Sequence, residues 1–272
     1  MQNAGPAERG RRYVLVKSKR KAKTRLDVLL VEHGLAESRQ KAQAMILAGE
    51  VTVNGQKAAK AGMPVAAEAE IEFVGEKLKY ASRGGLKLEG ALADFGVHVS
   101  GKVCLDAGAS TGGFTDCLLQ SGAAKVFAVD VSTDQLDWKL RQDARVVPVE
   151  CNARFLQPED IGEAVDVVTV DVSFISVTKV LPALVAVARQ GAEFLILVKP
   201  QFELERGDVG KGGIVRDPAL HQRAIERVRV AAGLMELTVL GEAPSRLTGA
   251  GGNQEYFLHA RRELLVVSEA KP

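Results

Sequence analysis

Residues 103–116 read VCLDAGASTGGFTD. An apolar run meets an acid and then a cluster of small residues, the pattern of a buried strand that ends in a tight turn and feeds a helix. In open α/β sheets ligands bind at the carboxyl ends of the strands, so this turn is the first place to expect a cofactor. Its candidates are Asp106, Gly108, Ala109, Ser110, Thr111, Gly112, Gly113 and Phe114, although Phe114 also suits the core.

Three cofactor chemistries compete for the turn. A phosphate-cradling GxxxxGK[ST] loop needs Lys and a hydroxyl at the start of the following helix, and that pair is missing. A dinucleotide fingerprint wants GxGxxG, whereas the spacing is GxxxGG, and Asp106 sets a carboxylate near where a pyrophosphate must lie. S-adenosylmethionine reverses the sign: its ammonium and sulfonium attract an acid at the strand end, and glycines let the backbone approach its amino-acid tail. Asp130, in VFAVDVS with Val131 beside it, is placed for a ribose diol roughly 20 residues beyond the turn. Asn152, in VECNARFL, either meets the adenine edge or serves as a turn residue.

Outward from this turn, strand patterns recur at KVFAVDV, RVVPVEC, DVVTVDVSF and EFLILVKPQF, and helical patterns at GLKLEGALADFG and DPALHQRAIERVRVAAG. The alternation predicts an α/β domain on a largely parallel sheet. MELTVLGEA and EYFLHARR follow one another without room for a crossover helix, so the last strand is expected to run antiparallel to its neighbour.

The front of the chain differs. Residues 1–80 hold 15 Lys and Arg against 9 Asp and Glu, while the rest of the chain holds 21 against 25. That asymmetry points to a front that meets a polyanion. Residues 1–23 read as a basic flexible arm. Residues 24–74 form a small α+β module with two helices, TRLDVLLVEHG and SRQKAQAMILAGE, for which Ser38 is the expected N-cap and Gly49 the stop. VTVNGQ then meets Asn54-Gly55, a hairpin signal. Residues 75–83 are a linker, and 84–265 the α/β domain. Arg25, Arg39 and Lys41 sit near the helix starts, outside the apolar stripe of Ala42, Met45 and Ile46, where they are available to an RNA backbone.

Cys104, Cys117 and Cys151 form no CxxC pair, which fits a reducing cytoplasm. The longest aliphatic run, residues 180–188, falls short of the ~20 residues a spanning helix needs, and the first residues lack a signal-type apolar core. Neither membrane residence nor secretion is expected.

TRLDVLLVEHGLAESRQKAQAMILAGEVTVNGQKAAKAGMPV resembles the S4 RNA-binding domain, which implies a basic face for structured RNA carrying Arg25, Arg39 and Lys41. YASRGGLKLEGAL, DAGASTGGFTD, DVSFIS and LVKPQFE, in that order, resemble the FtsJ-like RNA 2'-O-methyltransferases and, within them, the TlyA or hemolysin A-type family. Together the two resemblances cover almost the entire chain. They imply a seven-stranded, Rossmann-like class I methyltransferase sheet behind a small S4 domain, with S-adenosylmethionine as cofactor. The implied substrate is a cytidine ribose hydroxyl of 16S ribosomal RNA, 23S ribosomal RNA or both, and the implied partner is that RNA or a ribosomal subunit. Arg83, in the first motif, joins the RNA contacts, and no obligate protein partner is evident.

Ribose 2'-O-methyltransferases carry a Lys-Asp-Lys-Glu tetrad, and the matching positions are Lys87, Asp171, Lys199 and Glu255. Asp171 and Lys199 end two parallel strands and Glu255 begins the last one, so the three are expected at one edge of the sheet; Asp171 also counts among the cofactor residues. Pro200 favours an extended Lys199. Transfer from a sulfonium to an alcohol is an in-line displacement, so the protein must align the hydroxyl and dispose of its proton, and no metal is required. Lys199 is the group expected at the hydroxyl. It serves either as a base, which a nearby Lys87 favours, or as an ammonium that stabilises alkoxide charge, which Asp171 and Glu255 favour. ELERGDVGKGGIV is either a lid or a surface loop. The competing functions are a non-catalytic ribosome-assembly factor, against which the tetrad argues, and a membrane-active hemolysin, against which the missing long apolar helix argues.

Overall fold

The computed structural model describes residues 23–32, 36, 39–66, 69–73, 79–249 and 251–263. The expected basic arm up to residue 22, the expected cap Ser38 and the side chain of Lys41 lie outside the described residues. Internal contacts divide the chain into Met1–Leu78 and Lys79–Pro272.

In the first unit, strand β1 (Thr24–Arg25) leads into helix α1 (Leu26–Glu32), followed by α2 (Arg39–Leu47), β2 (Val51–Val53), β3 (Gln56–Lys57), β4 (Pro64–Val65) and β5 (Ile71–Phe73). Leu26, Leu29 and Leu30 recur at helical spacing and are buried with Ala42 and Ile46 of α2 against Val51 and Ile71. Gly49, at φ +74°, stops α2, its N–H bonded to the Ile46 carbonyl. Asn54 and Gly55, both at positive φ, close the hairpin between β2 and β3 as their sequence predicts.

Arg25 and Arg39, expected at an RNA backbone, both pair with Asp27, whose carboxylate is buried. Arg25 donates through Nε and Nη2 at 3.0 and 2.9 Å, Arg39 through Nη2 at 3.3 Å, and Gln43 adds a bond of 2.9 Å. A charge withdrawn from water must be paired, and these cations pair it. The Arg25 guanidinium, with Gln43 and Arg39 behind it, holds the Asp27 carboxyl well below the usual carboxylate range. Both arginines keep about half of their surface in solvent.

The second unit begins with α3 (Gly84–Phe95) and β6 (Val103–Ala107). It continues through α4 (Gly113–Gln120), β7 (Lys125–Asp130), α5 (Trp138–Gln142), β8 (Val146–Glu150), α6 (Pro158–Ile161) and β9 (Val165–Val170). It ends with α7 (Leu181–Val187), β10 (Ala188–Val198), α8 (Pro200–Glu203), α9 (Pro218–Gly233), β11 (Leu237–Pro244) and β12 (Tyr256–Arg262). Its seven strands lie in the order β11-β12-β10-β9-β6-β7-β8. Pairings from β10 through β8 are parallel, and β12 runs antiparallel to both β10 and β11.

Alternation along each strand sorts the core into two layers. Leu105, Phe127, Val168 and Ile196 face α7 and α9. Cys104, Val126, Val167 and Leu195 face α3 and α4. From β6 the chain proceeds to β7 and β8 on one side and returns to β9 and β10 on the other, so a crevice opens at the carboxyl end of β6.

Candidate active site

The glycine turn occupies that crevice. Gly108 and Gly112 have φ near +90°. The N–H groups of Gly108 and Ala109 both donate to the Val129 carbonyl, and Asp171 N donates to the Ala107 carbonyl, which draws the ends of β6, β7 and β9 together. The approach is so close that a Cβ on Gly108 would overlap the Asp171 carbonyl oxygen. Asp130 fastens the turn from the neighbouring strand, accepting the Ser110 N–H at 2.9 Å and the Ser132 N–H at 3.3 Å.

A cleft of about 230 Å³ lies over the turn. Gly108, Ala109, Ser110, Thr111, Gly113 and Phe114 line it together with Lys87, Asp171, Lys199, Ser82 and Ser173. Larger hollows of about 440 and 410 Å³ sit at the opposite, amino-terminal edge of the sheet, beside Val99 and Ser100 and beside Ala164 and Val187. The charged constellation therefore marks the smaller cavity. Phe114 belongs chiefly to the core, with its ring stacked on Phe257 at 6.1 Å.

The four tetrad positions meet as two ion pairs. Lys199 Nζ lies 2.6 Å from Asp171 Oδ1, and Lys87 Nζ lies 2.5 Å from Glu255 Oε2. Glu255 is almost wholly buried and reaches the cleft through Lys87. The angle at Asp171 Oδ1 is poor for a hydrogen bond, and Lys199 donates its well-formed bond to Ser173 Oγ at 2.8 Å. The local cause is short: β9 and β10 stop at Val170 and Val198, so the next residue of each emerges at the same rim.

Asp106 requires a correction. Read as an acid facing a cationic donor, it is fully buried beneath the turn, where Thr115 Oγ1 and Thr169 Oγ1 donate to it at 2.7 and 3.2 Å. Burial pushes its carboxyl up to about 7. Strand alternation decides this: Asp106 shares the face of Cys104, which packs against α4, rather than the crevice. Negative charge at the cleft comes from Asp171 instead.

Asp130, Val131 and Asn152 stand apart from the cleft lining, at the carboxyl ends of β7 and β8. Val131 is two-thirds exposed, and Asn152 Oδ1 accepts the Arg154 N–H, capping a short turn of helix over Ala153–Phe155. Arg83 is exposed between Ser82 and Gly84, both of which line the cleft. Sequence reasoning missed Ser82 and Ser173, since an isolated serine carries no periodic or spacing signal.

A model of the FtsJ-like methyltransferase family matches residues 80–262, and one of the S4 domain matches residues 24–71. The chain belongs to the FtsJ-like methyltransferase family. It is 48% identical over 243 residues to the 16S/23S rRNA (cytidine-2'-O)-methyltransferase TlyA of Mycobacterium tuberculosis, covering 89% of this chain and 91% of that one. Hemolysin A of Brachyspira hyodysenteriae is 46% identical, over 86% of this chain and 98% of its own. A solved hemolysin-named structure from Streptococcus thermophilus superposes with a TM-score of 0.69 at 43% identity, over 90% of each chain. The seven-stranded methyltransferase sheet and the S4 front anticipated from the motifs are those of this family. Despite the hemolysin names, no helix among the described residues is long and apolar enough to cross a membrane.

Proposed function

We propose that this protein methylates the ribose 2'-hydroxyl of a cytidine in ribosomal RNA, using S-adenosylmethionine and working in the cytoplasm. The observation that carries the reading is the convergence of the Lys199–Asp171 and Lys87–Glu255 pairs on a cleft floored by a glycine turn. The name of the TlyA relative supports the nucleotide and the RNA class, and the S4 front supports a structured RNA partner.

The residues present fit the donor. Gly108, Ala109 and Gly113 present backbone rather than bulky side chains to an amino-acid tail, and the Asp171 carboxylate in the same cleft offers negative charge to a cation. Asp130 is assigned to the ribose diol, and Val131 and Asn152 to the adenine. When bound, S-adenosylmethionine supplies an electrophilic methyl carbon on a neutral-leaving thioether.

Asp171 and Ser173 hold the Lys199 ammonium at the cleft, where it donates to the 2'-oxygen and stabilises the negative charge that grows there as the hydroxyl proton passes to solvent. Lys87, fixed by Glu255, adds a second positive charge in the same cleft and attracts the RNA backbone. At the floor, the Val129, Ala107 and Ala109 carbonyls already accept backbone N–H groups.

Ribosomal subunits incubated with the protein and S-adenosylmethionine test this, with 2'-O-methylcytidine mapped by mass spectrometry. Wild type is expected to methylate, and Lys199→Ala to be slower by about a hundredfold or more, as for loss of a preorganised donor at developing oxyanion charge. No ribose methylation by wild type, or equal rates for the two proteins, sinks the reading.

A further inference from the structure

Ser173 lies two residues beyond Asp171 and accepts a hydrogen bond from Lys199. An ammonium has three N–H vectors. The ion pair with Asp171 occupies one side of the nitrogen and Ser173 takes a second, which leaves a third for the cleft that all three side chains line. Without Ser173 the lysine head can turn about its last bond, since the contact to Asp171 is close but poorly directed.

The loop carrying Ser173 is itself anchored. Its neighbour Phe174 stands at φ +66° and is 92% exposed, with its ring 5.4 Å from that of Phe202 on α8. Three residues after Ser173, Ser176 Oγ donates to Glu203 Oε2 at 2.5 Å, and Val177 N–H donates to Glu203 Oε1 at 2.8 Å. Glu203 is only 2% exposed and ends α8, the turn of helix that starts immediately after Lys199. Its backbone carbonyl accepts Arg227 Nη1 from α9 at 2.8 Å. A carboxylate is costly to bury unless its oxygens find donors, and here the donors come from the Ser173 loop. The group thus ties Ser176 and Val177, a few residues beyond β9, to the end of α8, a few residues beyond β10.

We propose that Ser173 is a positioning residue for Lys199, aiming its remaining N–H at the ribose oxygen, and that buried Glu203 acts through Ser173 by holding that loop in register. The inference rests on the methyl-transfer reading given above.

Steady-state methylation of ribosomal subunits decides it, with each preparation normalised to its S-adenosylmethionine-binding capacity so that misfolded protein is not counted. Ser173→Ala is expected to lower kcat about tenfold or more, the scale of one hydrogen bond to a charged group, while KM for the subunits and Kd for S-adenosylmethionine stay within about twofold. Ser173→Thr, which keeps the hydroxyl, is expected to recover most of the loss. Glu203→Gln lowers kcat as well, and its effect in the Ser173→Ala background is smaller than in wild type, since the two act on one arrangement. The inference is overturned by a normal kcat for Ser173→Ala, by a loss confined to KM or Kd, by Thr failing where Ala fails, or by losses from Ser173 and Glu203 that simply multiply. A wild type that leaves every ribose unmethylated overturns the functional reading instead.

Discussion

Lys87 Nζ and Glu255 Oε2 are 2.5 Å apart across 168 residues of sequence, joining the first helix of the sheet domain to the approach of its last strand. Their side chains are 13% and 3% exposed, so the pair is close to a buried one. It closes one wall of the cleft and pins α3 to the antiparallel strand.

Breaking a buried pair from one side leaves an uncompensated charge. Lys87→Met is therefore expected to destabilise the protein by about 3–5 kcal/mol, and Lys87→Met/Glu255→Gln to recover much of that stability while remaining inactive. Urea unfolding and methylation assays on the two variants check both halves.

Gly249 faces the same carboxylate. A Cβ at this position would overlap Glu255 Oε1 and Cδ, backed by a strand that has little freedom to yield. Gly249→Ala is expected to cost roughly 1–3 kcal/mol through overpacking and to lower kcat by displacing Glu255 from Lys87. A crystal structure of the variant with the pair unmoved, or an unchanged kcat, contradicts this.

Asp106 gives the stability a pH signature. Its carboxyl titrates at about 7 when folded against an ordinary value of 3.8, because burial disfavours the charge. Between those values the folded state binds more protons than the unfolded one, so this group's contribution falls as pH rises from about 4 to about 7, by at most about 4 kcal/mol. Asp106→Asn should flatten that limb and be comparatively more stable at pH 8. Denaturant midpoints from pH 4 to 8 on both proteins measure it.

Asp130 holds the turn through Ser110 and is assigned to the cofactor ribose. Asp130→Ala is expected to weaken S-adenosylmethionine binding by about tenfold or more, on the scale of hydrogen bonds to a charged acceptor, with RNA affinity little changed. Calorimetric titration of each ligand separates the two effects.

Much of this was legible in the one-dimensional pattern. The glycine turn after 103–107, the Asn54-Gly55 hairpin and the helices at 84–95 and 218–233 each follow from torsional limits or a period of two or 3.6, which act over a few neighbouring residues. The arrival of Asp171 and Lys199 at one rim was readable for the same reason: a charge that ends an apolar strand must leave the sheet where the strand does.

Partner choice was settled elsewhere. The pairing of Arg25 and Arg39 with a buried Asp27 left no mark in the sequence, and Asp106 looked like a cleft acid until its bonds from Thr115 and Thr169 placed it beneath the turn. Sequence alone determined the order of strands, turns and helices and the family motifs they carry. Only the tertiary structure decided which face Asp106 takes, that Lys87 closes on Glu255, and that Glu203 braces Ser173 behind Lys199. Those contacts depend on chain segments far apart in sequence being brought within a few ångströms by core packing, and no local periodicity encodes the distance between them.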